Sequence, residues 1–165
     1  MRVEELVRRA QRGDIAALDA LISELSPYLG RICGAVAIGA GEDALQETLI
    51  AVVRGLRGLR HPAAVHAWAR RIAVREAVRT ARGNATVPLD QARLEATPVL
   101  DEAATAVEVR QVLESLLPEQ RAVLVLRHFE GLPERRIAEV LGVAPGTVKS
   151  RLHRARAAFR QRWST

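Results

Sequence analysis

The chain has 165 residues, 25 of them basic and 19 acidic, for a formal net charge of +6. That length suits one or two small domains, and no run of about eighteen apolar residues exists to span a membrane. The lone Cys33 excludes an internal disulfide and a cysteine-based zinc site, and the charged start MRVEELVRRAQRGD lacks the apolar core of a signal peptide, so the chain is expected to stay in the cytoplasm.

Charge is unevenly placed: net +4 over residues 1–83, −4 over 84–109 and +6 over 110–165. Two basic blocks around an acidic connector suggest two modules that face nucleic acid. Nearly every segment has a helical period, and no strand-like alternation persists. Asp14 is placed to cap a helix over about residues 15–37, with Leu18, Leu21, Ile22 and Leu25 on one face. Pro27 is expected to kink or split that helix. The run IGAGED breaks the chain, and a second helix is predicted over Glu42–Leu59 with a core stripe of Leu45, Leu49, Val52 and Leu56. Glu47 and Arg54 lie opposite that stripe, while Ile50 and Val53 fall off it. Two readings stay open for the latter pair: a partner surface, or burial under the first helix.

A third helix follows Pro62 and runs to about Arg82. Arg71, Arg75, Arg79 and Arg82 recur at helical spacing and form one stripe, with Trp68 on the same side. Charge for phosphates beside a ring for stacking is what a track for single-stranded nucleic acid requires; the other open reading puts Trp68 in the core. The stretch GNATVPLDQARLEATP, residues 83–98, has two prolines, little periodicity and a negative balance, and reads as a flexible linker. Helices resume near Asp101. One ends near Leu116, and the next runs from Pro118 to Gly131.

The last third reads as helix, glycine turn, short helix, glycine turn, basic helix, which is a helix-turn-helix. Gly142 stops the helix before it, and Pro145 sits in a first turn that has no use for its missing N–H. Val148, Leu152, Ala155 and Phe159 make one inward apolar stripe. The opposite side carries Gly146, Ser150, His153 and Ala157, flanked by Thr147, Lys149 and Arg154. From Val140 onward there are six basic residues, Lys149, Arg151, Arg154, Arg156, Arg160 and Arg162, and no acidic one. Ordinary solvated helices mix both signs, so this face suits a major groove.

These residues resemble a bacterial RNA polymerase sigma factor of the extracytoplasmic-function group. LPEQRAVLVLRHFEGLPERRIAEVLGVAPGTVKSRLHRARAAFR is similar to sigma region 4, EDALQETLIAVVRGL to region 2.2, and AWARRIAVREAVRTAR to regions 2.3 and 2.4. The resemblance implies an all-α chain of two small helical domains, residues 1–82 and 104–165, joined by a linker over 83–103 that threads near the polymerase active-site cleft. It implies docking on the polymerase clamp through Asp43, Gln46, Glu47, Ile50 and Arg54. It implies capture of the single-stranded −10 element by His66, Trp68, Arg71, Arg75, Arg79 and Arg82. In the −35 groove it implies Thr147, Lys149, Ser150, His153 and Arg154, with Arg135, Arg151 and Arg156 on the DNA backbone. Region 2 departs from the family pattern: His66 stands where an aromatic is usual, Val74 and Arg75 where Arg-Asn is usual, and Arg79 where Asp is common. Strand capture is therefore expected to rest on Trp68 and the arginines. In region 4, Pro133 replaces a capping serine.

Core polymerase and promoter DNA, double- and single-stranded, are the expected partners, and the resemblance admits an anti-sigma factor. A chain ending at Thr165 is expected to carry no further sensory domain. A regulator using the helix-turn-helix alone on palindromic sites is a competing reading, against which the EDALQET helix counts. No HExxH, GxxxxGK[ST] or GxSxG occurs, and His61, His66, His128 and His153 are scattered. No enzymatic activity, cofactor or metal is expected.

Overall fold

A computed structural model describes residues 2–84 and 102–164, and all regular structure among them is helical. The chain divides into two compact units, residues 1–81 and 82–165. Most of the expected linker, 83–103, lies outside the described residues.

The first unit opens with a helix that was not predicted, α1, Val3–Gln11. It is short and mostly charged, and it buries only Leu6, Val7 and Ala10. Glu4 and Glu5 in its first turn and Arg8 and Arg9 in its last complement the helix dipole. Asp14 then starts α2, Ile15–Val36, accepting the Ala17 N–H at 3.0 Å on Oδ1. Its Oδ2 accepts from Arg9 Nε at 2.8 Å and Nη2 at 2.6 Å, which ties the end of α1 to the start of α2. The Ala17 N–H first, and then Arg9, hold this carboxyl below the usual carboxylate range.

Helix α2 runs unbroken through Pro27, contrary to the expected split. Pro27 and Ser23, whose carbonyl loses its helical donor to the proline, are both exposed, so water can satisfy that oxygen. Leu21, Leu25, Leu29, Ile32, Cys33 and Val36 fill the core. Burial pushes the Cys33 thiol up, as suits a small core residue rather than a reactive one.

Helix α3, Gly41–Gly55, packs on α2 with a face that matches the predicted stripe only in part: Val52, and Leu56 just past the helix, are buried as expected. Ala44, Thr48 and Val52 are fully buried, whereas Leu45 and Leu49 are only half-buried. Small residues win the inner line because the backbones approach closely: a Cβ on Gly41 would stand 2.7 Å from the Gly34 Cα. The Thr48 hydroxyl donates to Ala44 O at 2.7 Å, and its Oγ1 also meets Cys33 Sγ of α2 at 3.6 Å. Two short 3₁₀ turns, Leu56–Gly58 and Pro62–Ala64, lead into α4, Val65–Asn84. The Gln11 carboxamide of α1 donates to Leu56 O at 2.9 Å and Leu59 O at 2.8 Å, pinning the first of these turns.

The second unit contains α5, Glu102–Glu114, and α6, Pro118–Leu124. The buried Arg121 of α6 donates through Nη1 to Leu113 O, Glu114 O and Leu116 O at 3.1–3.3 Å, bracing the end of α5 and the turn after it. The helix predicted to run on to Gly131 widens into a π turn, Val125–Phe129, with Glu130 N–H donating to Val125 O at 3.1 Å. Helix α7, Glu134–Leu141, buries Ile137 and Ala138 and starts at Pro133 without a side-chain cap. Gly142 ends it at φ 66°, a left-handed conformation that other residues adopt only under strain. Helix α8, Pro145–Trp163, buries Val148, Leu152 and Ala155, the predicted inward stripe, with Phe159 half-buried at its end.

Candidate nucleic-acid and partner interfaces

In the second unit, burial of one side of α8 fixes what the other presents. Gly146, Lys149, Ser150, His153, Arg154, Arg156 and Ala157 are exposed, and Thr147 and Arg151 are half-exposed. Ser150 is not idle, since its hydroxyl donates to Thr147 O at 3.1 Å within the helix. Among the described residues no carboxylate pairs with Lys149, Arg151, Arg154 or Arg156. Arg135 on α7 is exposed, while its neighbour Arg136 is paired with Glu139 at 2.7 Å. The result is an uncompensated cationic face on the second helix of a helix-turn-helix, the kind of element that can present side chains to phosphates and base edges.

Along α4, Arg71, Arg75 and Arg79 of the first unit are exposed, and so is Arg82, the residue at which the second unit begins. Trp68 is neither free nor core. It is half-buried, and its indole lies over Gly55, where a Cβ would come within 2.9 Å of Cζ2. The glycine at 55 is the seat of the ring. His66 is exposed, and its ring forms an edge-type pair with that of Tyr28 at a centroid separation of 5.9 Å and an interplanar angle of 64°.

On α3, Asp43, Gln46, Glu47, Ile50, Val53 and Arg54 are exposed. Burial under α2 is thereby excluded for the apolar pair, Ile50 being 38% and Val53 44% exposed. Between α3 and α4 lies a cavity of about 400 Å³ lined by Glu47, Ile50, Ala51, Arg54, Gly55, Glu76 and Arg79. Here the two sets of predicted residues meet. Arg79 Nη2 stands 2.6 Å from Glu76 Oε2 and 3.6 Å from Glu47 Oε2, and Arg75 Nε stands 3.8 Å from Glu76 Oε1.

Glu76 did not emerge from the sequence reading. It is buried, and its Oε2 is close to Arg79 without hydrogen-bond geometry. The signal was present: it is the single acidic residue of Val65–Asn84, one position from Arg75 and three from Arg79. The stripe of arginines is thus partly compensated from beneath, unlike the face of α8.

Residues 21–86 match the sequence pattern of Sigma-70 region 2, and residues 106–159 that of Sigma-70 region 4. The ECF RNA polymerase sigma factor SigM of Mycobacterium tuberculosis is 36% identical over 161 residues, which span 93% of this chain and 80% of that one. The ECF RNA polymerase sigma-E factor of Salmonella typhimurium is 31% identical over 172 residues, which span 93% and 90%. Among solved structures, CnrH in complex with the cytosolic domain of CnrY has the same fold, with a TM-score of 0.65, 22% identity and coverage of 96% and 95%.

Proposed function

The chain belongs to the extracytoplasmic-function group of the sigma-70 family, which serves promoter-specific initiation of transcription with RNA polymerase, and from that membership we propose how its two units divide the work. A sigma factor is a regulatory subunit, and RNA synthesis belongs to the polymerase. In the proposed division the exposed side of α3, with Asp43, Gln46, Glu47, Ile50 and Arg54, docks on the polymerase clamp. Helix α8 enters the major groove at the −35 element, with Thr147, Lys149, Ser150, His153 and Arg154 toward base edges and Arg135, Arg151 and Arg156 toward the backbone. Helix α4 holds the unpaired −10 strand, Trp68 against a base and the arginines against phosphates, with His66 at its start. Duplex opening then follows from trapping: a base held by stacking offsets part of the stacking it lost.

The observation that carries this reading is the pair of cationic helix faces, one in each unit, each built on a buried apolar side. An anti-sigma factor is proposed among the partners because Ile50 and Val53 form an exposed apolar pair beside the docking charges, a surface that a competitor of polymerase has to cover. The cytoplasm, where polymerase and DNA are, is the proposed location. No described helix is long and apolar enough to cross a membrane. Transcription with purified core polymerase on promoter fragments, followed by mapping of the start site, tests the reading. A defined start that depends on the chain supports it. Binding of DNA at palindromic sites without any affinity for core polymerase supports the rival reading of a free-standing helix-turn-helix regulator.

A further inference from the structure

The indole of Trp68 rests on Gly55, and the backbone just past Gly55 is held from α1, a helix assigned to neither interface. We propose that Gln11, the last residue of α1, is a positioning residue for strand capture: its carboxamide fixes the turn after α3, and with it the seat that presents Trp68 to an unpaired base. This inference rests on the assignment of Trp68 to the captured strand given above.

The geometry runs from α1 to the ring in three steps. Helix α1 is itself anchored, since it buries Leu6, Val7 and Ala10 and its Arg9 holds Asp14 at the start of α2. From that fixed end the Gln11 carboxamide donates to Leu56 O at 2.9 Å and to Leu59 O at 2.8 Å, so both of its N–H groups are spent on the turn Leu56–Gly58 and the residue after it. Leu59 N–H also donates to Leu56 O, at 3.1 Å, so the turn's own bond and the clamp meet on one carbonyl. Leu56 is buried and follows Gly55 directly, so holding its carbonyl holds the backbone of the seat. A glycine backbone is less restrained than that of any other residue. The missing Cβ that lets Trp68 Cζ2 settle over Gly55 therefore also removes local stiffness from the seat, and the two hydrogen bonds from α1 supply it instead. Trp68 is half-buried, so part of the ring lies on the seat and the rest is open to stack on a base.

The test is a double-mutant cycle on promoter opening by holoenzyme, with Gln11→Met, Trp68→Ala and the two combined, read by permanganate reactivity on a duplex promoter. Methionine keeps the length of the side chain and has no N–H to donate. Gln11→Met should reduce opening about two- to tenfold, as loss of a hydrogen bond allows, and by less than Trp68→Ala does. It should reduce opening no further once residue 68 is alanine, because two residues that act through one contact are not additive. Ile32→Val, a truncation in the core of α2, controls for lost stability and should leave opening at the wild-type level. Gln11 is half-exposed, and melting curves check that each variant is folded. A second readout follows the ring itself. The chain has two tryptophans, so in a Trp163→Phe background the fluorescence is that of Trp68. Acrylamide should quench it more strongly with Gln11→Met than with Gln11 in place or with Ile32→Val. Additive losses in the cycle, or quenching that Gln11→Met leaves unchanged, would overturn the positioning role while leaving strand capture intact. If Trp68→Ala opens duplex promoters normally, the strand assignment itself is wrong and the positioning role falls with it.

Discussion

At the scale of single residues, Trp68 and Gly55 form a unit. The indole rests on a glycine that leaves no room for a Cβ, since one would stand 2.9 Å from Cζ2. Gly55→Ala should push the ring off its seat and weaken opening of duplex promoters, while duplex binding at the −35 element stays unchanged. Trp68→Ala should weaken opening by more, because a stacked base is worth about 1–3 kcal/mol. Permanganate reactivity on duplex and pre-melted templates reads both variants. Their defects should shrink on the pre-melted template, where unpairing has been supplied, and equal defects on both would assign Trp68 to stability instead. Asp14 bears on pH. Its carboxyl is held below the usual range by the Ala17 N–H and Arg9, so its charged form stabilises the fold at neutral pH. That stabilisation is present above the ordinary carboxylate pKa and is lost as pH falls through the lowered one. Asp14→Asn keeps a capping oxygen and removes the charge. Its deficit in melting temperature should therefore be clear near neutrality and close as the buffer is acidified.

At the scale of elements, α8 carries the sharpest expectation. Lys149→Ala and Arg154→Ala should each either cost about 1–3 kcal/mol at one base position, if the side chain reads a base edge, or weaken all sequences alike and flatten the salt dependence, if it holds a phosphate. Binding over a series of promoter variants at several salt concentrations separates the two, and wild-type affinity for both variants would remove α8 from recognition. Arg121 supports the second unit from within. Arg121→Met should destabilise that unit by about 1–3 kcal/mol, because carbonyls at the end of α5 and in the turn after it lose the guanidinium N–H groups. Faster amide exchange at the end of α5 would register the loss.

The same elements show what a sequence makes legible. Helix α8 could be read residue by residue because its period, its starting proline and the stop at Gly142 all agree. Helix α1 was legible but overlooked, since Val3, Leu6, Val7 and Ala10 recur at helical spacing within a charged stretch. The inner face of α3 was legible at Val52 and Leu56 but not at its start, where close approach of backbones favours Ala44 and Thr48 over the larger Leu45 and Leu49, and closeness is a property of the packed pair. The π turn at Val125–Phe129 and the carboxylate beneath the arginine stripe are likewise settled by tertiary contact, although the lone Glu76 among arginines was a usable sign.

At the scale of the whole molecule, the proposal makes two cationic faces on one chain act as one selective device. Linking two DNA contacts makes the second intramolecular once the first has formed, so that together they would select more than either alone. Promoter choice should then depend on both elements together and be lost when either face fails, although docking on polymerase persists. The decisive measurement is start-site-mapped transcription by core polymerase loaded with the wild-type chain, with Trp68→Ala, or with the double variant Lys149→Ala/Arg154→Ala, beside a direct assay of core binding. The account predicts a defined start for wild type and loss of that start in both variants at unchanged core binding. A defined start that survives in both variants would contradict it.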